Sequence, residues 1–264
     1  TDLIQSIVMS IALVTVVTYG INSAGGFVAV MDNARALPGY LSLNNTFDAA
    51  NNASNSFSFI SIVSTLAWGI GYFGMPHILV RFMAIEDEKK LTLSRRIASV
   101  WVVIAMTVGI FIGVVGLAMT KAGSLENLAD SETVIVRITG LISRHGVIAA
   151  LIAGVILAGI LAATMSTSDS QLQTAASGVS QNILHDFFHI EMDEKKSLLT
   201  ARLTIVAIAV VAVFMARNPN SSVFGIVSFA WAGFGAAFGA VMLCALFWKR
   251  STLAGAISGM VAGG

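Results

Sequence analysis

Six stretches of this chain, residues 3–20, 59–80, 97–119, 147–165, 198–216 and 223–248, are apolar runs near the ~20 residues that a helix needs to cross a bilayer's hydrocarbon core. A seventh run begins after Lys249 and Arg250. No other feature constrains the fold as much. In lipid every backbone N–H and C=O must be satisfied within the protein, so a span is either an α-helix or a strand of a closed barrel. Runs of this length are helical, and the fold class expected is all-α and polytopic. Composition agrees, with 56% hydrophobic and 11% charged residues and a mean hydropathy of +0.84. A net charge of +1 implies no nucleic-acid partner. The one cysteine, Cys244, has no partner for an intrachain disulfide and leaves the redox compartment unread.

The connections are polar. Residues 32–58 are rich in Asn and Ser and contain sequons at Asn44 and Asn52, matches that are frequent by chance in such a loop. EDEKKLTLSRR (86–96) reads as a solvated loop or helix face, residues 121–145 as one or two short surface helices, EMDEKK (191–196) as a loop, and RNPNSS (217–222) as a short turn. Residues 171–188 keep helical composition but grow more polar, so the fourth helix is expected to continue toward water or bend. His185 and His189 have metal-ligand spacing, but no other ligands cluster nearby, and an amphipathic surface helix is the better reading.

Charge sets the orientation. Arg81, Lys89, Lys90, Arg95, Arg96, Lys195, Lys196, Arg202, Lys249 and Arg250 fall on one side; Arg35, Lys121, Arg137, Arg144 and Arg217 fall on the other. Ten against five makes the first side cytoplasmic under the positive-inside rule. Loops 81–97, 185–202 and 249–251 are then cytoplasmic, as is Thr1, and the 32–58 connection lies outside. The chain starts directly before a span and stops within an apolar run, and is read as a piece of a larger protein with no signal peptide assigned.

Within the second run, WGIGYFGMPHILVR (68–81) breaks the pattern of an ordinary apolar helix. It holds Gly69, Gly71, Gly74 and Pro76, costing about 1 kcal/mol per interior Gly and roughly 3 kcal/mol for Pro. Pro76 supplies no N–H, so a helix running through it leaves the Tyr72 carbonyl to find a partner elsewhere. Trp68, Tyr72 and Pro76 step by four and share one helix face. Such a face beside a weakened backbone suits a small solute with one apolar side and polar ends. A packing kink is the competing reading.

Ala163, Ser166 and Thr167, at i, i+3 and i+4 near the end of the fourth run, place two hydroxyls and a carbonyl toward one point. That is part of the neutral-oxygen shell a monovalent cation needs. The alternative is hydroxyls that bond back to the helix or glue neighbouring helices. Asp169 is the acidic residue adjoining an apolar run, a position that is functional by default, yet it lies near a predicted aqueous end. Gly235 and Gly239 form a GxxxG pair that reads as close helix approach; the alternative is that Trp231, Phe234 and Phe238 pack near a substrate gate, which is not counted as a site. No Ser/His/acid set, phosphate-cradling loop or metal cluster supports catalysis, and no Lys, Glu or His lies in mid-span as a proton pump needs.

GYFGMPHILVRFMA (71–84), ILAATMSTSDSQL (160–172) and SFAWAGFGAAFGA (228–240), in that order, resemble the solute:sodium symporters, in their sodium/proline branch. The resemblance covers the whole chain. Two positions depart from the family's habit: Met75 stands where Gln is frequent, and Ala240 where Pro is frequent. The resemblance implies a partial inverted-repeat helical bundle of the LeuT type, residues 1–264 being one piece of a transporter domain in the cell membrane. It implies no enzyme and no cofactor, with Na⁺ as coupling ion and import of a small amino acid, foremost L-proline. By that resemblance the Ala163 carbonyl and the Ser166 and Thr167 hydroxyls hold Na⁺, other ligands coming from an upstream helix. Trp68 and Tyr72 face the pyrrolidine ring and its ammonium, and backbone groups near Pro76 meet polar ends. A symporter-like domain of a sensor protein, or transport of another small organic solute, are the alternatives.

Overall fold

The computed structural model describes residues 2–217 and 222–264, so the turn expected at 217–222 lies largely outside the described residues. The elements are helices α1 (Asp2–Ser23) and α2 (Phe27–Arg35), a hairpin of β1 (Asn45–Asp48) and β2 (Ala53–Ser56), then α3 (Phe59–Gly74), α4 (Pro76–Met83), α5 (Lys90–Lys121), α6 (Val134–Ile142) and α7 (Val147–Ser177). After them come α8 (Glu194–Met215), α9 (Val223–Phe234), α10 (Ala240–Phe247) and α11 (Leu253–Gly263). Among the described residues five helices are each long and apolar enough to cross a membrane, and α3 with α4 forms a sixth, broken span. The expected all-α, multi-pass class is what the chain adopts.

The helices gather into two compact units, residues 1–62 with 87–165 and residues 63–86 with 166–264. In the first, α1, α5, α6 and α7 surround a core of Val16, Val115, Met119, Ile138 and Ile156, all almost fully buried. Gly20 lets α1 and α5 approach so closely that a Cβ there collides with Val115, and Gly116 does the same for Val134. Ser124 Oγ donates to the Ser23 carbonyl at 2.6 Å, tying the ends of α5 and α1 together. Residues 121–145 were expected to give surface helices. Instead α6 buries Ile138, Thr139 and Ile142, because its apolar positions recur at helical spacing and give it one core-facing stripe.

The 32–58 connection is more ordered than its composition implies. Its first residues finish α2, and Asn45 pairs with Ser56 and Asp48 with Ala53 across the hairpin. Asp48 accepts from the Asn51 amide at 2.8 Å and from the backbone N–H of Ala50 and Asn51, which holds its carboxyl below the ordinary range. This Asx-type capping explains why the turn forms in an Asn-rich segment.

In the second unit, α8 buries no residue although it is apolar from Leu203 onward, beyond its charged first turns. A helix that is hydrophobic all round is stable with lipid as its solvent. EMDEKK proves to be only partly a loop, since α8 starts at Glu194, and α5 likewise starts within the charged run, at Lys90. The fourth apolar run continues without interruption as α7 and then widens into π-type turns over Gly178–Phe187, with Phe188 N–H reaching the Ile183 carbonyl. His189 follows the helix with φ at +54°. His185 and His189 therefore do not share a helix face, and His185 instead contacts Asp186 at 2.7 Å.

Candidate functional site

The second span is two helices rather than one kinked helix. α3 stops at Gly74, α4 starts at Pro76, and the axes turn by 51°. Met75 between them is extended (φ −84°, ψ 112°) and only 4% exposed. Pro76 occupies the first position of α4, where its missing N–H costs nothing and its fixed φ suits helix initiation. The sequence reading had the helix continuing through Pro76, with the Tyr72 carbonyl orphaned. The observed solution moves the break to Met75 and leaves the last carbonyls of α3 and the first N–H groups of α4 outside their own helical ladders. Ile78 and Leu79 N–H both turn back to the Met75 carbonyl, each at 3.1 Å.

α3 reaches this break lying directly on the sixth apolar run. The backbone there passes from α9 through a π-type turn, Gly235–Gly239, into α10. A Cβ on Gly74 collides with the Phe234 carbonyl, and one on Gly235 lies 2.8 Å from Gly71 Cα. One on Gly239 lies 2.8 Å from the Ile70 carbonyl oxygen. The GxxxG pair is thus a close-approach surface, and its partner is the glycine face of the broken span.

Of the residues singled out for a solute, Trp68 stacks on Phe224 with ring centroids 5.6 Å apart and tilts toward Trp231 at 6.2 Å. Tyr72 meets Trp231 edge to face at 5.2 Å while remaining 49% exposed. His77, one residue into α4, also faces Trp231, at 6.4 Å. The aromatic face predicted from Trp68 and Tyr72 exists, and Trp231 is seated on it. Sequence reasoning offered Trp231 only as one of three rings near a substrate gate and did not count it as a site residue. The available signal was an indole one turn before Gly235. Pro76 is exposed at the head of α4.

Ala163, Ser166 and Thr167 lie on the unbroken α7, with Ala163 and Ser166 half-buried and Thr167 exposed. Within a continuous helix a backbone carbonyl has two lone pairs, one of which is used in the ladder. One bond in the second unit joins α4 to this helix: an Arg81 guanidinium nitrogen donates to Ser170 Oγ at 3.5 Å, one turn beyond Ser166 and Thr167. Asp169 accepts from the Gln173 side chain at 2.9 Å and is exposed. Among the described residues no group of three or more His, Cys, Asp or Glu side chains could hold a metal ion.

Apolar helices of membrane-crossing length, with one bent pair whose break is lined by aromatic rings and glycine contacts, define a polytopic membrane protein. Residues 1–263 match the sodium:solute symporter family, and the chain belongs to that family. It is 37% identical over its whole length to the osmoregulated proline transporter OpuE of Bacillus subtilis (strain 168), covering 50% of that protein. It is 36% identical to a sodium/proline symporter of Staphylococcus aureus, again over its whole length and 49% of that protein. The chain thus spans about half the length of the curated relatives it matches. No solved structure matches it.

Proposed function

We propose that this chain is part of a sodium-coupled symporter that imports L-proline across the cell membrane, residues 1–264 forming a single piece of its transporter domain. The observation that carries the reading is that two relatives, named for proline transport, match along the whole chain, the interrupted span included. In this reading proline lies at the break between α3 and α4, with Trp68 and Tyr72 against its ring and ammonium. Backbone groups freed around Pro76 meet its polar ends. A zwitterion has no net charge, and Trp68, Tyr72 and Pro76 carry none. Na⁺ binds the Ala163 carbonyl and the Ser166 and Thr167 hydroxyls on α7, together with ligands from elsewhere in the protein. Loops 81–97, 185–202 and 249–251 face the cytoplasm.

The test is uptake of labelled L-proline by the full-length protein in proteoliposomes, with an inward Na⁺ gradient or with Na⁺ replaced by choline. Sodium coupling gives accumulation only with the Na⁺ gradient. Equal uptake in choline removes the coupling reading. Preferred uptake of another solute, with proline a poor competitor, removes the substrate assignment and directs attention to Met75 at the break.

A further inference from the structure

The packing of the broken span contains one polar atom without a partner. Trp231 Nε1 is buried and makes no hydrogen bond; the other such side-chain atom among the described residues, Asn33 Nδ2, belongs to the first unit. An indole N–H can only donate. Burying it unpaired forfeits the hydrogen bond it makes in water, so native structures rarely keep such a group without a use.

Its surroundings indicate that use. A Cβ on Gly71 falls 3.0 Å from Trp231 Cδ1, the ring carbon bonded to Nε1. The Cδ1–Cγ edge of the indole, one bond from Nε1, therefore lies against α3 in its last turn before the break, an approach that glycine permits. Trp68, Tyr72 and His77 supply rings around the same indole. Two first-turn donors of α4 are engaged, because Ile78 and Leu79 N–H both bond the Met75 carbonyl. An anion arriving among these rings finds the indole N–H as a buried donor with no protein partner.

We propose that Trp231 Nε1–H receives the carboxylate of the transported amino acid, which makes Trp231 a specificity-determining residue. The inference rests on the reading that Trp68 and Tyr72 face the substrate. The ring of Trp231 closes the aromatic wall over the aliphatic part of the substrate, and its N–H selects for the carboxylate. Before substrate enters, the same ring fills the space against Tyr72 and Trp68.

The test uses the full-length transporter in proteoliposomes, with L-proline as substrate and pyrrolidine, which lacks the carboxylate, as competitor. Trp231→Phe keeps a ring and removes the donor. The expected result is a rise of about tenfold or more in the proline concentration for half-maximal uptake. The preference for proline over pyrrolidine shrinks by the same factor, and Trp231→His, which retains a ring N–H, restores part of it. That preference is a ratio, so it decides the matter even if a variant reaches the membrane in smaller amounts. If Trp231→Phe keeps the wild-type ratio while Trp68→Ala and Tyr72→Ala weaken proline uptake, the substrate site stands and Trp231 only packs. If those two alanine variants also keep wild-type proline affinity, the substrate reading of the aromatic face itself is lost.

Discussion

Arg81 donates to the Ser170 hydroxyl across 3.5 Å, and the Ser170 hydroxyl donates to the Thr167 carbonyl at 2.9 Å. A hydroxyl accepts and donates at once, so both bonds coexist. They join the second half of the broken span to the turn of α7 that carries Ser166 and Thr167. A shift of α4 on substrate binding is then felt at the oxygens proposed for Na⁺, which is a physical route for coupling. The bond is long and exposed, so its removal should be mild in stability. Arg81→Ala is expected to raise the sodium concentration for half-maximal uptake by about two- to fivefold, the size of an exposed charge-assisted contact. An unchanged sodium curve would make this contact a surface detail.

The glycine crossing makes a sharper demand. Gly74→Ala drives a methyl into the Phe234 carbonyl, and Gly235→Ala drives one into Gly71. Backbone on both sides leaves no flexible side chain to yield, so each variant is expected to lose about 1–3 kcal/mol of stability. Gly69 and Gly233 are the controls, since a Cβ there meets nothing within 4 Å. Gly69→Ala should be neutral or gain up to ~1 kcal/mol of helix propensity. Thermal unfolding of the purified full-length protein separates the two pairs. Equal midpoints for all four variants would show that the crossing is looser than described.

How much of this was legible in the sequence follows from the range of each signal. Long apolar runs are local and self-sufficient in lipid, so the spans were readable from 59–80 and 147–165 without knowledge of their partners. The break was readable as a weakness but not at its position, because whether Pro76 kinks a helix or starts one depends on whether Met75 leaves helical geometry. That is settled by packing, here by the burial of Met75. The role of α6 was missed since Ile138, Thr139 and Ile142 are buried through contacts with helices far away in the chain, α1 among them. The contacts of Trp231 were unreadable for the same reason: its neighbours Gly71 and Tyr72 are more than 150 residues away in the chain, and periodicity carries no information over that distance.

Orientation rests on charge alone and can be checked alone. A single cysteine at position 89, in a background lacking Cys244, is expected to react with a membrane-impermeant maleimide only when the cytoplasmic face is opened. One at position 51, in the turn between β1 and β2, is expected to react in intact cells. Reaction of position 89 from outside in sealed cells would reverse the topology and with it the direction assigned to every loop.

The α7 oxygens give the test that separates ion binding from packing. Ser166→Ala and Thr167→Ala each remove one oxygen and little volume, so the helix survives both. In this helix other hydroxyls bond back to carbonyls, Thr164 to Ile160 at 3.0 Å and Thr174 to Ser170 at 2.8 Å. If Ser166 and Thr167 do only that, their loss changes stability by about 0.5–2 kcal/mol and leaves the sodium dependence of uptake where it was. A ligand behaves differently. Removing one neutral oxygen from a cation's shell is expected to raise the sodium concentration for half-maximal proline uptake steeply, with less effect once sodium saturates. Apparent proline affinity should fall in parallel at low sodium, since ion and substrate strengthen each other's binding by the same factor. Thr167→Ser keeps the oxygen and should stay close to the unmodified protein, whereas Thr167→Val, which keeps the shape, should resemble Thr167→Ala. The measurement is proline uptake against sodium concentration for these variants of the full-length protein. Sodium curves that superimpose for both alanine variants would take α7 out of the ion site and leave its hydroxyls as helix packing.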